Sequence, residues 1–252
     1  MKHLFRLAWL VCLAPALSAA PNHCADCHFA SGLGRGGAHL ADWERSPHGR
    51  ADVGCEKCHG GDPTTFDAYR AHRDVLNARN PASPVHPANL PRTCGGCHPP
   101  ALAAFQKSRH YEMLREASDG GPTCSTCHGE VAAILASPKT LEGRCRSCHG
   151  VGKRAPRADY PPEARRVLEQ VQDVRDLLRQ AMPLIRRTKD VERREDLQAI
   201  YRAAEAPLAD AVAAGHAFVF AQSEERLASA RERAEALLEL LANPPPPARP
   251  RP

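Results

Sequence analysis

Apolar positions recur with a helical period only in the last third of this 252-residue chain. Val167, Val171, Val174, Leu178, Ala181 and Ile185 follow one another at alternating steps of four and three, the spacing that lines one face of a helix. Leu197, Tyr201, Ala204, Leu208, Ala211 and Gly215 repeat the pattern. A third set, Leu227, Ala230, Ala234, Leu237 and Leu241, follows Ser223, which can cap a helix. Pro161-Pro162 suits a first turn, where no N–H is needed. The charged run 186–196 is the expected turn, and Pro183 and Pro207 are expected to kink or shorten their helices. Residues 156–242 therefore read as a C-terminal helical bundle or hairpin, whose stripes face a core. Residues 243–252 read as a Pro-rich, extended tail.

The rest of the chain lacks this pattern. Lys2, His3 and Arg6 precede a short apolar run over 7–17, and Ala16, Ser18, Ala19 and Ala20 offer a cleavage site. Residues 1–20 thus have the form of a secretory signal. The run is short for a membrane span, so no integral span is expected after cleavage; an uncleaved anchor is the other reading. Residues 21–155 are crowded with turn signals, among them Gly60-Gly61-Asp62-Pro63 and Gly120-Gly121-Pro122. Short helices are expected at 40–46, 66–76 and 101–117, and little other regular structure. As bare polypeptide this region could not bury enough apolar surface to fold.

What could supply the missing core is written five times. Cys24-x-x-Cys27-His28, Cys55-x-x-Cys58-His59, Cys94-x-x-Cys97-His98, Cys124-x-x-Cys127-His128 and Cys145-x-x-Cys148-His149 are all C-x-x-C-H. Two thiols at this spacing can form thioethers with the two vinyl groups of one porphyrin, and the following His supplies an imidazole to the iron. The reading is five covalently bound haem c groups. Zinc ribbons also use C-x-x-C pairs, with four ligands per metal, but five pairs leave a remainder and a ribbon has no use for the repeated His. Disulfides within each pair would leave the five His unexplained too. Ten of the eleven Cys lie in the motifs and Cys12 lies in the leader, so no thiol is left for catalysis.

Two further words recur. Trp43-x-x-Ser46-x-His48 precedes the second motif and Phe105-x-x-Ser108-x-His110 the fourth, a loose internal repeat. Ser-x-His with C-x-x-C-H-Gly resembles the multihaem cytochromes c, including pentahaem periplasmic carriers of the nitrite-reduction type and relatives of hydroxylamine oxidoreductase. The run from Cys58 to Thr64, with Ala71-His72 downstream, is similar to that group as well. The resemblance covers residues 24–150 well and the later helices weakly. It implies a mainly α multihaem cytochrome c fold, with little regular structure, packed around five haems. It also implies that His48, His72 and His110 are distal haem ligands.

Seven His lie outside the motifs and the leader, against a need for five distal ligands. The supply favours an imidazole on both sides of most irons, with His39 and His86 completing the set. His23 abuts the first motif, a poor position for its own haem, and His216 lies in the second expected helix beside Gly215. Met113 and Tyr111 read as packing. A second imidazole closes the iron and suits electron transfer, whereas an open position would permit catalysis.

Charge adds one exclusion. The formal net charge of +5 alone would suggest nucleic acid or a membrane surface. Losing the leader removes Lys2 and Arg6, and each ferric haem with ionised propionates carries about −1. The loaded protein is then near neutral to acidic, and no nucleic-acid partner is expected. The expectation is a periplasmic carrier, more a carrier than a catalyst, between a membrane quinol dehydrogenase and a periplasmic reductase. The alternative is a reductase or oxidase of a small nitrogen or sulfur oxyanion at one open haem. No motif is C-x-x-C-Lys, the variant at the catalytic haem of pentahaem nitrite reductases.

Overall fold

The computed structural model describes residues 22–32, 36–117, 120–131, 137–155 and 157–243. The expected signal, with Cys12, and residues 244–252 of the expected tail lie outside them. Among the described residues there are thirteen helices and no strand, only a lone bridge between His149 and Ala155. Ten short helices come first: α1 (His23–Ser31), α2 (Gly36–Arg45), α3 (Pro47–Arg50), α4 (Glu56–His59), α5 (Ala68–Ala71), α6 (Leu90–Gly95), α7 (Pro99–Phe105), α8 (Arg109–Glu116), α9 (Cys124–His128) and α10 (Pro138–Arg146). Three long ones follow: α11 (Tyr160–Arg187), α12 (Val191–His216) and α13 (Phe220–Ala242). The mainly α fold expected from the sequence is the fold observed.

Side-chain caps start several of the short helices. Ser46, Asp67, Ser108 and Ser137 each accept a hydrogen bond from the backbone N–H three residues on, satisfying a donor that the first turn leaves free. Two expected helices are cut down by this chemistry. Residues 66–76 hold only the one-turn α5, and 101–117 are divided between α7 and α8 at the Ser108 cap.

The long helices pack on one another: α12 lies against α13, and α11 against both. The first stripe is buried along its length, with Val174, Ala181 and Ile185 fully so. Leu197, Ala204, Leu208 and Ala211 of α12 meet Leu227, Ala230, Ala234 and Leu237 of α13. The same core takes in Leu141 and Cys145 of α10, which packs on α11, while α7 packs on α12. The bundle and the motif-bearing region thus share apolar contacts across residue 155.

Three sequence expectations are corrected here. Ser223 does not cap a helix; it lies inside α13, fully buried, and its hydroxyl donates to the Ala211 carbonyl at 3.0 Å. It is a polar member of the stripe, satisfied by a carbonyl on the neighbouring helix. Pro183 and Pro207 do not shorten α11 or α12. Pro207 removes the N–H that would serve the Ala203 carbonyl one turn earlier, and the Arg233 guanidinium of α13 donates to that oxygen at 3.0 Å. The turn is also tighter than 186–196, since only 188–190 are non-helical between α11 and α12.

Leu227 is 1 % exposed at the centre of the larger core cluster. Leu227→Ala should destabilise the bundle by about 2–5 kcal/mol, read as a lowered urea midpoint followed by far-ultraviolet circular dichroism.

Candidate functional site

Each C-x-x-C-H word is one helical turn. In the second, third and fifth motifs the His backbone N–H donates to the carbonyl of the first Cys at 2.9 Å. That single turn brings the two sulfurs, three residues apart, and the imidazole, four apart, to one side. The chain then has to leave sharply. Gly60, Gly129 and Gly150, which follow the second, fourth and fifth motifs, all adopt positive φ, a conformation that side-chain-bearing residues rarely take.

Every motif imidazole faces a second imidazole. Ring centres are 5.9 Å apart for His28–His72, 6.2 Å for His39–His59, 6.0 Å for His48–His98, 5.9 Å for His110–His149 and 6.1 Å for His128–His216. Direct stacking would bring rings closer, as in His23 on Phe66 at 3.9 Å. Two imidazoles bonded to opposite sides of one metal at about 2.0–2.1 Å would hold their centres roughly 6 Å apart. The donor set therefore fits a six-coordinate iron with one imidazole on each side.

Hydrogen bonds orient the second rings. His72 Nδ1–H donates to the Ala68 carbonyl at 2.8 Å, His216 to Val212 at 2.8 Å and His48 to Val131 at 3.1 Å. His39 Nδ1 lies 3.4 Å from the Glu130 carboxylate. Carbonyl and carboxylate oxygens only accept, so Nδ1 carries the proton and Nε2 is left bare as a ligand. His110 differs: its Nδ1 is buried with no partner among the described residues, as is that of His149 opposite. Burial lowers the pKa of His59, His110 and His128, which keeps them in the neutral form that a metal requires.

Local structure delivers these rings. Ser46 and Ser108 are buried, each accepting from a backbone N–H of the next helix and donating back to the preceding one; His48 and His110 follow two residues later. His72 ends α5. Gly61, at φ +85°, lets the chain close on α5 with the Asp62 N–H on the Ala71 carbonyl, and a Cβ there would lie 2.4 Å from that oxygen.

The structure brings together His39, His48, His72 and His110 of the expected second ligands, each opposite a motif imidazole. It does not so place His86, which lines the central cavity and whose Nδ1 accepts from the Ala88 N–H at 3.3 Å. His216, left out of the expected set, faces His128 instead. Its signal in the sequence was a lone His beside Gly215 of the second stripe, four residues beyond Val212, where the helix ends.

Successive motifs abut. The Asn22 amide before the first motif reaches Cys55 of the second at 4.0 Å. Cys58 of the second is raised in pKa by burial and then by Cys94 and Cys97 of the third. α6 packs on α9, and the nearness of Cys94 and Cys124 raises the Cys94 thiol and lowers that of Cys124. α9 packs on α10, whose Arg144 donates to the Thr126 carbonyl at 2.6 Å. A cavity of about 1760 Å³ runs along the first four motifs, beyond the roughly 300–1,000 Å³ of a pocket for one small ligand. Burial also pushes the Cys145 thiol up to about 11, the reverse of the shift that activates a nucleophilic cysteine. Among the described residues no three His, Cys, Asp or Glu converge on one point, whereas a zinc ribbon needs four.

Residues 79–150 match the family model described as cytochrome c7 and related cytochrome c, and residues 13–60 match that of cytochrome c554 and c-prime. No curated protein and no solved structure matches the chain.

Replacing Ser108 with Ala should cost about 0.5–2 kcal/mol through loss of the α8 cap and loosen the ring of His110. The check is urea unfolding of the loaded protein followed at the absorbance of its prosthetic groups.

Proposed function

We propose that this chain, which belongs to the multihaem c-type cytochrome superfamily, is a pentahaem electron carrier whose five irons are each held by two imidazoles. Electron transfer on covalently bound haem c is what the family implies. The observation that carries the finer reading is the set of five His–His pairs, each containing one C-x-x-C-H imidazole. Cys24, Cys27, Cys55, Cys58, Cys94, Cys97, Cys124, Cys127, Cys145 and Cys148 would form the thioethers. His28, His59, His98, His128 and His149 would be the proximal ligands, facing His72, His39, His48, His216 and His110 in that order. When bound, haem supplies reversible one-electron chemistry, and a protein that closes both axial positions keeps that chemistry to outer-sphere transfer.

The order of the motifs in space supports a row that follows the chain, from His28 at one end to His149 at the other. A single pair of imidazole ligands per iron also favours low potentials, suited to a membrane quinol-linked donor and a reductase as acceptor. Export to the periplasm rests on the leader-like residues 1–20 and on the habit of the family. No helix among the described residues is long and apolar enough to cross a membrane. The pairing of all five motif imidazoles favours carriage over reduction of an oxyanion at an open iron.

Two measurements test this. Intact mass of the exported protein should show five additions of about 616 Da, the mass of thioether-bound haem; fewer would refute the count. Low-temperature electron paramagnetic resonance of the oxidised protein should show only low-spin iron, in two classes. The near-parallel rings of His128–His216 at 17° and His28–His72 at 26° split the iron π orbitals more than the crossed rings of His39–His59 at 82° and His110–His149 at 77°. His216→Ala should convert one iron in five to a high-spin form that binds carbon monoxide when reduced. An unchanged spectrum would remove His216 from the ligand set.

A further inference from the structure

The five pairs share one ligand type, so differences among them come from what surrounds the rings. The nitrogen that does not face the metal sets how strongly an imidazole donates. A hydrogen bond from Nδ1–H to a carbonyl raises ligand basicity, and one to a carboxylate raises it more. A stronger donor favours ferric iron and lowers the potential. The second rings are graded on this scale: His39 has the Glu130 carboxylate, His48, His72 and His216 have backbone carbonyls, and His110 has neither.

At the His110 site the deficit is double, because the Nδ1 of His149 is buried without a partner as well. Aromatic rings occupy the space behind both. Phe218 stands edge-on to His110 with centres 4.3 Å apart, Tyr160 lies 5.6 Å from His149, and Phe220 closes on both aromatics at 6.3 and 5.6 Å. Phe218 and Phe220 offer no hydrogen-bonding atom, the Tyr160 hydroxyl bonds to neither ring, and both Nδ1 atoms are buried from water. Arg109 pairs with Glu112 and Glu116, and Arg157 with Asp159. The His39–His59 pair is an internal comparison. Its rings cross at 82° against 77°, so ring orientation is nearly the same and the Nδ1 environment is what differs.

Resting on the pentahaem reading above, we infer that His110 and His149, backed by Phe218, Tyr160 and Phe220, set the most positive potential of the five sites, so that a single electron placed on the protein resides at the C-terminal end of the row. One ferric iron there becomes ferrous and the added one-electron reductant is oxidised; Nδ1–H keeps its proton.

The test is a stepped redox titration of the loaded full-length protein followed by proton magnetic resonance. Contacts to the Phe218 and Tyr160 rings identify signals of the His110–His149 site. Those signals should be the first to lose their ferric shifts as the ambient potential is lowered. Phe218→Asn replaces the apolar cover with a side chain that can accept from Nδ1–H or admit water. Asn also tolerates the positive φ of 60° at this position. It should lower the ferrous-to-ferric ratio at that site about tenfold at fixed potential, equivalent to ~59 mV, and leave the other four in place. Another site reducing first, or an unmoved ratio in the variant, overturns the inference; if the variant does not fold, the wild-type order alone decides. Mass and low-spin resonance on the same sample separate this from the underlying reading. Fewer than five haems, or high-spin iron, overturns that reading rather than the ordering.

Discussion

The rest of the structure depends on one constraint: an imidazole fixed by a C-x-x-C-H turn must meet a second imidazole at a set distance. The first ring is delivered locally, within one helical turn. The second comes from elsewhere in the chain, and the pairs overlap. His28–His72 spans the whole of His39–His59, and His48–His98 starts inside both intervals and ends beyond them. His110–His149 interleaves with His128–His216. Segments stitched in this way cannot separate without breaking a pair. The stretch after the fourth motif adds a further tie, since Glu130 and Val131 receive the Nδ1 atoms of His39 and His48. The motif-bearing region therefore gains from cross-connection what it lacks in apolar periodicity.

The long helices solve a different problem. They hold their stripes together by ordinary burial, each Leu or Val contributing roughly 1.5–3 kcal/mol on removal from water, and need no prosthetic group to do so. Their links to the motif region include two that bear on the ring pairs and the core. α10 contributes Leu141 and Cys145 to the bundle core, and the end of α12 presents His216 to His128. The turn just beyond, from Ala217 to Val219, carries Phe218 to His110. One connection between α12 and α13 thus serves two neighbouring ring pairs, and the buried Ser223–Ala211 bond fixes the angle at which it leaves.

This explains what could be read from the sequence. The three stripes were legible because helical burial is periodic, and the five motifs because thioether chemistry fixes their spacing. Ser46-x-His48 and Ser108-x-His110 were legible as repeated words, and the caps at both Ser residues give the physical reason for the repetition. The pairing of second rings was not legible. It depends on loop paths, and nothing in the local sequence of His86 or His216 distinguishes a ring aimed at a partner from one that is not. Ser223 was misread because a Ser ahead of an apolar run suits a cap; its place four residues before Leu227 put it on the stripe. Pro207 does not shorten its helix, because the carbonyl it orphans is served from another helix by Arg233.

The two halves accordingly differ in what they need in order to fold. In the bundle, sequence pattern, burial and hydrogen-bond satisfaction agree, the mark of a segment that specifies its own structure. In the motif region, eight of the ten motif thiols and eight of the ten paired imidazoles line one cavity. Burial disfavours charge on the rings, as the lowered values of His59, His110 and His128 record. Neutral rings set in pairs about 6 Å apart gain little from each other directly. Their arrangement becomes favourable when an iron bonds both, and binding free energy then acts as folding free energy. On the proposed ligation, the stitching would be an outcome of haem attachment rather than a scaffold prepared for it. The bundle, held by its own apolar stripes, supplies the end from which the last two ring pairs are placed.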